Sequence, residues 1–396
     1  MPDLTPLTSL PVDSVLRQAV NTGAVAGVVA MAATHEGVVY GGAFGRRDLS
    51  SASPMALDTV FRIASLTKAV TSVAAMQLVE QGKVTLDQPL GEFLPGLAAA
   101  QVLEGFSSSG EPLVRPARTA VTLHHLLTHT SGFSYNTFDP LILQFQKRTN
   151  TPDVDTGRRS ALGVPLIFEP DTRWEYGIST DWLGQLVELI SGKSLDVYFQ
   201  DHIFAPLGLH EIGYALHPQR RSRLSRIHQR KQDGLLEPFD HEYPRDPEFV
   251  TGGHGLYSTP GDYLAFQQMI LCGGSLRGAR ILRPESVALM SRNQIGQLDI
   301  GPLRTTLRTA WNDIEFFPGI EKKWGYGFLI TVQALPTGRS AGSLSWAGIY
   351  NLYYWIDLRK RIAGLFMTQT LPFGDAKVLR AYGSYEKAIY QSLGAN

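Results

Sequence analysis

A serine and a lysine three residues apart, Ser65 and Lys68, carry the clearest chemical signal in the sequence. At the start of a helix this spacing puts the hydroxyl and the amine on one face. A serine hydroxyl is a poor nucleophile until a base within hydrogen-bond reach takes its proton. The residues from Ala69 to Val79 are mostly apolar, so the helix is predicted to be central and the charged form of Lys68 to be disfavoured. The pair therefore predicts a nucleophilic serine with a lysine as its base.

The same spacing occurs a second time, at Ser384 and Lys387. This copy lies in a charged, amphipathic segment near the C-terminus, where a lysine is most simply a solvated surface group. The first copy lies at the start of an apolar helix instead. A lysine buried in such a helix costs free energy unless it has a partner. We therefore assign chemistry to Ser65 and Lys68 alone.

The composition excludes several classes of function. The 36 Lys and Arg residues balance 36 Asp and Glu residues, which argues against an electrostatic nucleic-acid binder. A basic run from Arg220 to Lys231 is followed by acidic residues, and we expect a self-compensated surface loop there. The single cysteine, Cys272, cannot form an internal disulfide.

The sequence shows no targeting or membrane segment. Its first residues lack a basic start followed by an apolar core, so no signal peptide is visible. No run approaches the about 18 apolar residues of a membrane span. We expect a soluble, cytoplasmic protein with no membrane partner.

Apolar periodicity places strands at both ends of the chain and helices between them. A helix over residues 12–20 is followed by strands over 25–33 and 38–44, and strand patterns return over 325–330, 343–347, 352–356 and 363–367. Helices are predicted over 183–190, 262–270 and 376–392, and long irregular stretches over 133–165 and 215–250. The fold class is thus α/β (α+β), with an antiparallel sheet from both termini flanked by helices. Residues 1–105 and 300–396 are predicted to form this domain, and residues 106–299 an inserted, mostly helical domain.

Further motifs give the chain a resemblance to a known superfamily. They are Leu126-Leu127-Thr128-His129-Thr130-Ser131-Gly132, Phe168-Glu169-Pro170 with Trp174-Glu175-Tyr176, Gly255-Leu256-Tyr257-Ser258-Thr259, and Trp324-Gly325-Tyr326-Gly327. With Ser65 and Lys68 they resemble the serine β-lactamases and penicillin-binding proteins. Within that superfamily the chain looks most like the family VIII carboxylesterases, which resemble class C β-lactamases but mainly hydrolyse esters. The resemblance implies a β-lactamase/transpeptidase-like fold and covers most of the chain.

Tyr176 lies where that family has a catalytic tyrosine. The resemblance implies that it works with Lys68 as proton acceptor for the serine and as proton donor to the leaving group. Class C enzymes carry Tyr-x-Asn, but this chain has Ile178 in place of the asparagine. Ser179, the next residue, is a candidate to replace part of the lost hydrogen bonding to substrate.

The third lactamase motif, Lys-Thr-Gly, is replaced by Trp346-Ala347-Gly348. Trp-x-Gly is typical of family VIII esterases, and Gly348 lets substrate approach the strand closely. The N–H of Ile349 is expected to form an oxyanion hole with that of Ser65. Loss of the lysine removes a cation for a β-lactam carboxylate, and Trp346 supplies an apolar wall suited to a neutral ester. Asn351, just beyond, is a candidate substrate contact.

Other catalytic templates are absent from the sequence. There is no Gly-x-Ser-x-Gly nucleophile elbow and no His-Glu-x-x-His, and we predict no metal and no cofactor. We interpret His129, in the cluster with His124 and His125, as a hydrogen-bonded scaffold residue. The glycines of residues 252–255 lack the context of a phosphate-binding loop.

The sequence thus predicts a serine carboxylesterase that hydrolyses short-chain esters through an acyl-enzyme on Ser65, with weak β-lactam hydrolysis as a side activity. Phe133 and Tyr135 are candidates to line an apolar substrate pocket. The alternatives are a β-lactamase or D-amino-acid amidase, an acyltransferase on the same scaffold, and a non-catalytic binding protein. The expected partner is a small-molecule ester, and the sequence leaves the oligomeric state open.

Overall fold

Strands from the two ends of the chain enclose a mainly helical middle. The structure is a computed structural model and describes residues 10–394. In chain order the strands are β1 Gly27–Thr34, β2 Val38–Gly45, β3 Phe61–Arg62, β4 Gln101–Phe106, β5 Pro112–Pro116, β6 Ile227–Arg230, β7 Leu236–Phe239, β8 Tyr257–Ser258, β9 Ser275–Leu276, β10 Ala279–Arg280, β11 Lys322–Trp324, β12 Leu329–Thr331, β13 Ser343–Gly348, β14 Leu352–Asp357, β15 Ile362–Met367 and β16 Thr370–Leu371. The helices are α1 Leu10–Asn21, α2 Thr67–Glu80, α3 Pro95–Ala98, α4 Leu123–Thr128, α5 Pro140–Thr149, α6 Ser179–Ser191, α7 Leu195–Phe199, α8 Ala205–Leu207, α9 Pro218–Arg221, α10 Pro260–Leu271, α11 Pro284–Met290 and α12 Ala376–Ser392.

One antiparallel sheet of seven strands has the order β11-β12-β13-β14-β15-β1-β2. The two ends of the chain meet where β1 pairs with β15, with Val29 opposite Met367. Strands β13, β14 and β15 are buried along their whole length, which explains their continuous apolar runs. The predicted sheet from both termini, flanked by helices, is confirmed.

Helices cover both faces of this sheet. On one face the ring of Tyr382 in α12 stacks on Tyr353 of β14, with centroids 4.7 Å apart. On the other face Gln267 of α10 donates its amide to the carbonyls of Trp355 and Gly364, both at 3.1 Å. Helix α2 packs against α6 and α7, and nearly all its residues are buried.

The structure differs from the sequence prediction in four places. Residues 325–328 of the strand predicted over 325–330 form a turn between β11 and β12, since Gly327 adopts a left-handed φ of 93°, and the strand β12 begins only at Leu329. The stretch 133–165 contains α5, and the stretch 215–250 contains the hairpin of β6 and β7. The proposed domain boundary at 105/106 falls inside the β4–β5 hairpin.

The basic run from Arg220 to Lys231 is neutralised by acidic neighbours, as predicted. Its ion pairs are Arg221 with Glu242, Arg223 with Glu211, Arg226 with Asp240 and Lys231 with Glu237. Across residues 10–394, none of the helices combines the length and the apolar character that crossing a membrane requires.

Candidate active site

The nucleophile lies on a short turn just before the buried helix. Residues Ala64–Leu66 form a 3-10 turn, and α2 begins at Thr67, so Ser65 precedes the helix by one turn. Ala64 has a left-handed φ of 47°, a conformation that costs a non-glycine residue about 1–2 kcal/mol. Strain of this kind is concentrated at functional sites. The turn leaves Ser65 partly exposed to a cavity, while Ala64 and Leu66 are buried.

Lys68 is held by three oxygen atoms around its side-chain nitrogen. Its side chain is 2% exposed. The Nζ atom lies 3.4 Å from Ser65 Oγ, 3.0 Å from Tyr135 Oη and 2.8 Å from the carbonyl oxygen of Gly253. Three fixed contacts orient this buried amine, and one of them is with Ser65 Oγ.

The Gly253 contact is part of a layer that the sequence reasoning missed. The N–H of Gly253 donates to Asp181 Oδ1 at 2.9 Å, and Asp181 is fully buried. A side chain on Gly253 would lie 2.8 Å from Asp181 Oδ2 and 3.0 Å from Tyr135 Oη, so only glycine fits between them. Burial raises the pKa of Asp181 above its usual range. The sequence feature that could have indicated this contact is the pair of adjacent glycines, Gly252 and Gly253, because glycines let a backbone approach helices closely.

Tyr176 presents its ring, rather than its hydroxyl, to Lys68. The ring centroid is 4.7 Å from Lys68 Nζ, and Tyr176 Oη accepts the indole N–H of Trp346 at 3.3 Å. Gly177 follows because a side chain there would collide with the backbone of Phe133 and Ser134. The structure therefore brings Ser65, Lys68 and Tyr176 together and adds Tyr135, whose hydroxyl is nearer to the lysine.

Tyr135 is protonated in this setting. Burial, with smaller contributions from Asp181 and Tyr176, raises the pKa of its phenol well above the usual range. Its hydroxyl can therefore both accept a hydrogen bond from Lys68 and keep its own proton. Tyr135 lines the cavity in front of Ser65, and its contact with substrate stays a prediction.

His129 supports the catalytic side chains from behind. Its ring lies 5.2 Å from that of Tyr176 and 5.3 Å from that of Trp324, and its carbonyl accepts the N–H of Glu175 at 2.9 Å. Burial, followed by the nearby Lys68 charge, lowers the pKa of His129 well below its usual range. The imidazole is neutral and buried between two motifs, but its Nδ1 has no hydrogen-bond partner, so the hydrogen bonding predicted for this scaffold residue is made by its backbone carbonyl.

The strand β13 passes directly beside the nucleophile turn. A side chain on Gly348 would lie 2.9 Å from the carbonyl of Ile63, so the strand reaches the turn only because residue 348 is glycine. Ile349 then lines the same cavity as Ser65. Their pairing as oxyanion-hole donors remains a prediction that this placement permits.

The cavity in front of Ser65 has a volume of about 440 Å³ and a mixed lining. Lysine and arginine are absent from its described lining, which is rich in aromatic rings and includes Tyr135, Phe138, Tyr176, Phe239, Tyr243, Trp311 and Tyr350. One polar corner holds His254, whose Nε2 lies 3.3 Å from Asp155 Oδ1. Burial lowers the pKa of His254 to about 4, so it is neutral near pH 7.

Two predicted substrate contacts lie elsewhere. Phe133 points away from the cavity and stacks on Trp182, with centroids 6.0 Å apart. Ser179 is fully buried at the start of α6, where its Oγ lies 2.8 Å from Ser131 Oγ. Both predictions were wrong, because these side chains hold the helical layer together.

Asn351 was also predicted wrongly. It is fully buried in a left-handed turn with a φ of 58°. Its amide donates to the carbonyls of Thr370 and Pro372, both at 2.8 Å, and its Oδ1 accepts the hydroxyl of Tyr353 at 2.7 Å. The side chain thus fixes the end of the hairpin, and its neighbour Tyr350 lines the cavity instead.

Trp346 forms a wall one layer behind the cavity. It contacts the rings of Tyr176, Trp324 and Phe316 at centroid distances of 4.9, 4.7 and 5.2 Å. Its link to substrate therefore runs through Tyr176 rather than through direct contact.

Comparison with known proteins shows which family the chain belongs to. A model of the Beta-lactamase family matches residues 12–385. The chain belongs to the beta-lactamase family. It is 38% identical over 290 residues to acyltransferase mokF of Monascus pilosus, covering 70% of this chain and 69% of that one. It is 31% identical over 399 residues to the lovastatin esterase of Penicillium rubens, covering 97% and 98%.

A solved structure agrees with this assignment to the beta-lactamase family. The LovD6 mutant of simvastatin synthase from Aspergillus terreus superposes with a TM-score of 0.85 at 30% identity, covering 98% of both chains. The β-lactamase/transpeptidase-like fold is thus confirmed. The acyltransferase and the esterase among these relatives act on acyl groups or esters. The chain is therefore an enzyme of the beta-lactamase family that acts on esters or acyl groups.

Proposed function

We propose that the protein is a serine carboxylesterase that works through an acyl-enzyme on Ser65. The observation that carries the proposal is Lys68, which is buried, oriented by Gly253 and Tyr135, and aimed at Ser65 Oγ beside a cavity large enough for a small ester. A nucleophile, its base and a third group that orients the base are the parts that serine acyl transfer needs.

The reaction has two steps on this proposal. Ser65 Oγ attacks the ester carbonyl, and its proton passes to the pair of Lys68 and Tyr176. The N–H groups of Ser65 and Ile349 stabilise the oxyanion. The carbon–oxygen bond to the alcohol then breaks, and the alcohol leaves with the proton returned through Tyr176. Water attacks the acyl-enzyme, and the same pair takes a proton from the water. The bond between the acyl carbon and Ser65 Oγ then breaks, Oγ receives that proton, and the carboxylic acid is released.

The substrate class follows from the charges around the cavity. The described lining supplies two carboxylates, Asp153 and Asp155, and lacks lysine and arginine. A β-lactam carboxylate therefore has no cation on the lining to bind, and the asparagine that would contact the acylamino group of a β-lactam is replaced by Ile178. Neutral esters with a short acyl chain fit this setting best, in the manner of family VIII carboxylesterases.

Acyl transfer to an alcohol is the second candidate. The comparison with mokF favours it, as does the 32% identity to monacolin J acid methylbutanoyltransferase of Aspergillus terreus over 336 residues. At the cavity mouth, Leu307 is 46% exposed and Phe239 is 42% exposed. An apolar mouth can hold a bulky alcohol acceptor in place of water. The two functions share one acyl-enzyme and differ in what attacks it.

A panel of p-nitrophenyl esters of increasing chain length, run beside nitrocefin, tests the first proposal. We expect short-chain turnover, negligible nitrocefin opening, and loss of activity in Ser65→Ala. Retention of more than a few per cent of activity by that variant would contradict the mechanism. The same assay with a large excess of a secondary alcohol separates the candidates: a hydrolase yields free acid, and an acyltransferase yields the new ester.

A further inference from the structure

A second cavity, of about 420 Å³, lies between the sheet and α12. It shares no lining residue with the cavity in front of Ser65. Most of its wall is apolar or aromatic, including Phe316, Phe317, Leu329, Trp346, Tyr353 and Leu379. A concave apolar space of this size is typical of small-molecule sites.

Two residues that line the cavity, Ser345 and Tyr354, have a buried hydroxyl without a hydrogen-bond partner among the described residues. Ser345, in β13, is 3% exposed, and its Oγ has no hydrogen-bond partner. A buried hydroxyl without a partner is costly, and such groups are rare in folded proteins. An occupant with one hydrogen-bonding group would supply a partner for Ser345 Oγ.

The helix α12, which covers the cavity, has a glycine where a side chain would enter the cavity. Gly383 lies in the middle of α12, on the same face as Leu379 and Glu386, at spacings of four and three residues. A Cβ at this position would meet no atom within 4 Å, so packing does not require glycine here. A glycine inside a helix weakens it relative to alanine. Its effect in this structure is to leave the cavity open.

The charges at the cavity are already neutralised. Glu386 is bonded to the buried guanidinium of Arg339, and Glu315 lies 3.2 Å from Lys322. The site therefore offers neither a free cation nor a free anion on its described lining. A charged ligand would lose its hydration without gaining a partner.

We propose that this cavity is a second binding site, for a neutral and mainly apolar small molecule with one hydrogen-bonding group that reaches Ser345. An occupant would touch Trp346, which lines this cavity and donates to Tyr176 Oη at 3.3 Å. The site is thus separate from the substrate cavity and borders a catalytic side chain.

Binding of N-phenyl-1-naphthylamine, a neutral lipophilic amine, tests the proposal by fluorescence titration of the whole chain. Gly383→Phe projects a ring into the cavity, and we expect it to remove one saturable site per chain. Gly383→Ala is the matched control and is expected to keep that site with affinity within threefold of wild type. Ser345→Ala should weaken binding there about threefold to tenfold, as loss of one hydrogen bond does.

The readout does not depend on ester chemistry at Ser65, so it can fail while the proposed esterase stands. Thermal unfolding and activity on a short ester show whether Gly383→Phe folds, since this residue is outside the catalytic group. If that variant is unfolded, Leu379→Trp fills the same space from the preceding turn. An unchanged number of sites in a folded filling variant, or no saturable site in wild type that either variant removes, would overturn the proposal.

Discussion

The indole N–H of Trp346 is the sharpest point at which the geometry can be tested. Within residues 10–394, it makes the one hydrogen bond given to Tyr176 Oη, at 3.3 Å. Trp346→Phe removes this donor and keeps an aromatic ring against Tyr176. If Tyr176 gives its own phenol proton to Lys68 as it takes the proton of Ser65, its oxygen carries partial negative charge in the transition state, and the bond is worth about 1.5–3 kcal/mol there. That corresponds to a loss of about tenfold to a hundredfold in kcat/KM.

Trp324→Phe is the matched control for this variant. Trp324 is a buried neighbour, and its indole N–H donates at 3.2 Å to the carbonyl of Leu127. That carbonyl also accepts from the N–H of Gly327 at 3.3 Å, so it keeps a donor. Hydrolysis of p-nitrophenyl butyrate by both variants should show the loss in Trp346→Phe alone. A change below threefold in Trp346→Phe, or an equal loss in both, would refute the assigned role of the Trp346–Tyr176 bond.

Three further predictions concern one contact of Lys68 and the burial of titratable side chains. Tyr135→Phe removes the hydroxyl 3.0 Å from Lys68 Nζ and should lower kcat/KM for short esters about tenfold without a comparable rise in KM, a pattern that steady-state kinetics resolves. Burial raises the pKa of Glu175 from 4.5 to about 7, so ionisation costs the folded state stability that is present at low pH and lost as the pH rises through 7. Glu175→Gln should therefore raise the free energy of unfolding by up to about 3 kcal/mol at pH 8 but not at pH 4.5, as urea denaturation at both values would show. Burial lowers the pKa of His125, His228 and His254 to about 4. For each of them, the free energy of unfolding present above pH 6.5 should fall by about 1.4 kcal/mol per pH unit as the pH drops toward 4. A melting temperature that stays constant over this range would contradict the prediction.

The strands and the last helix were predictable because their patterns are continuous. Residues 343–347, 352–356 and 363–367 are apolar runs bounded by turns, and the structure extends each by only one residue. The amphipathic segment 376–392 is helical over its whole predicted length. The aromatic residues around Tyr326 were wrongly predicted to lie in a strand, since Gly327 turns the chain between two short strands.

The catalytic group was predictable only in part. Ser65, Lys68 and Tyr176 belong to recognisable motifs, and the structure brings them together. The side chains around them depend on tertiary contacts that a linear sequence does not contain. Phe133 and Tyr135 are two residues apart in one loop, yet the first packs on Trp182 and the second reaches Lys68.

The partners of Lys68 show the same limit. Gly253 lies far from Lys68 in sequence, and its carbonyl meets the amine only because the loop passes between α2 and α6. Ala64 adds a left-handed φ that no propensity predicts for alanine. Both features serve the position of the reacting groups, where local preference is overruled by tertiary structure.

The central claim is that an acyl group resides on Ser65 during turnover. Mixing the enzyme with p-nitrophenyl butyrate, quenching in acid within the first turnover and mapping peptides by mass spectrometry tests it directly. We predict one added butyryl group on the peptide that contains Ser65, and none in Ser65→Ala. Release of p-nitrophenol by wild type with no acylated Ser65 peptide, or acylation at another residue, would contradict the account.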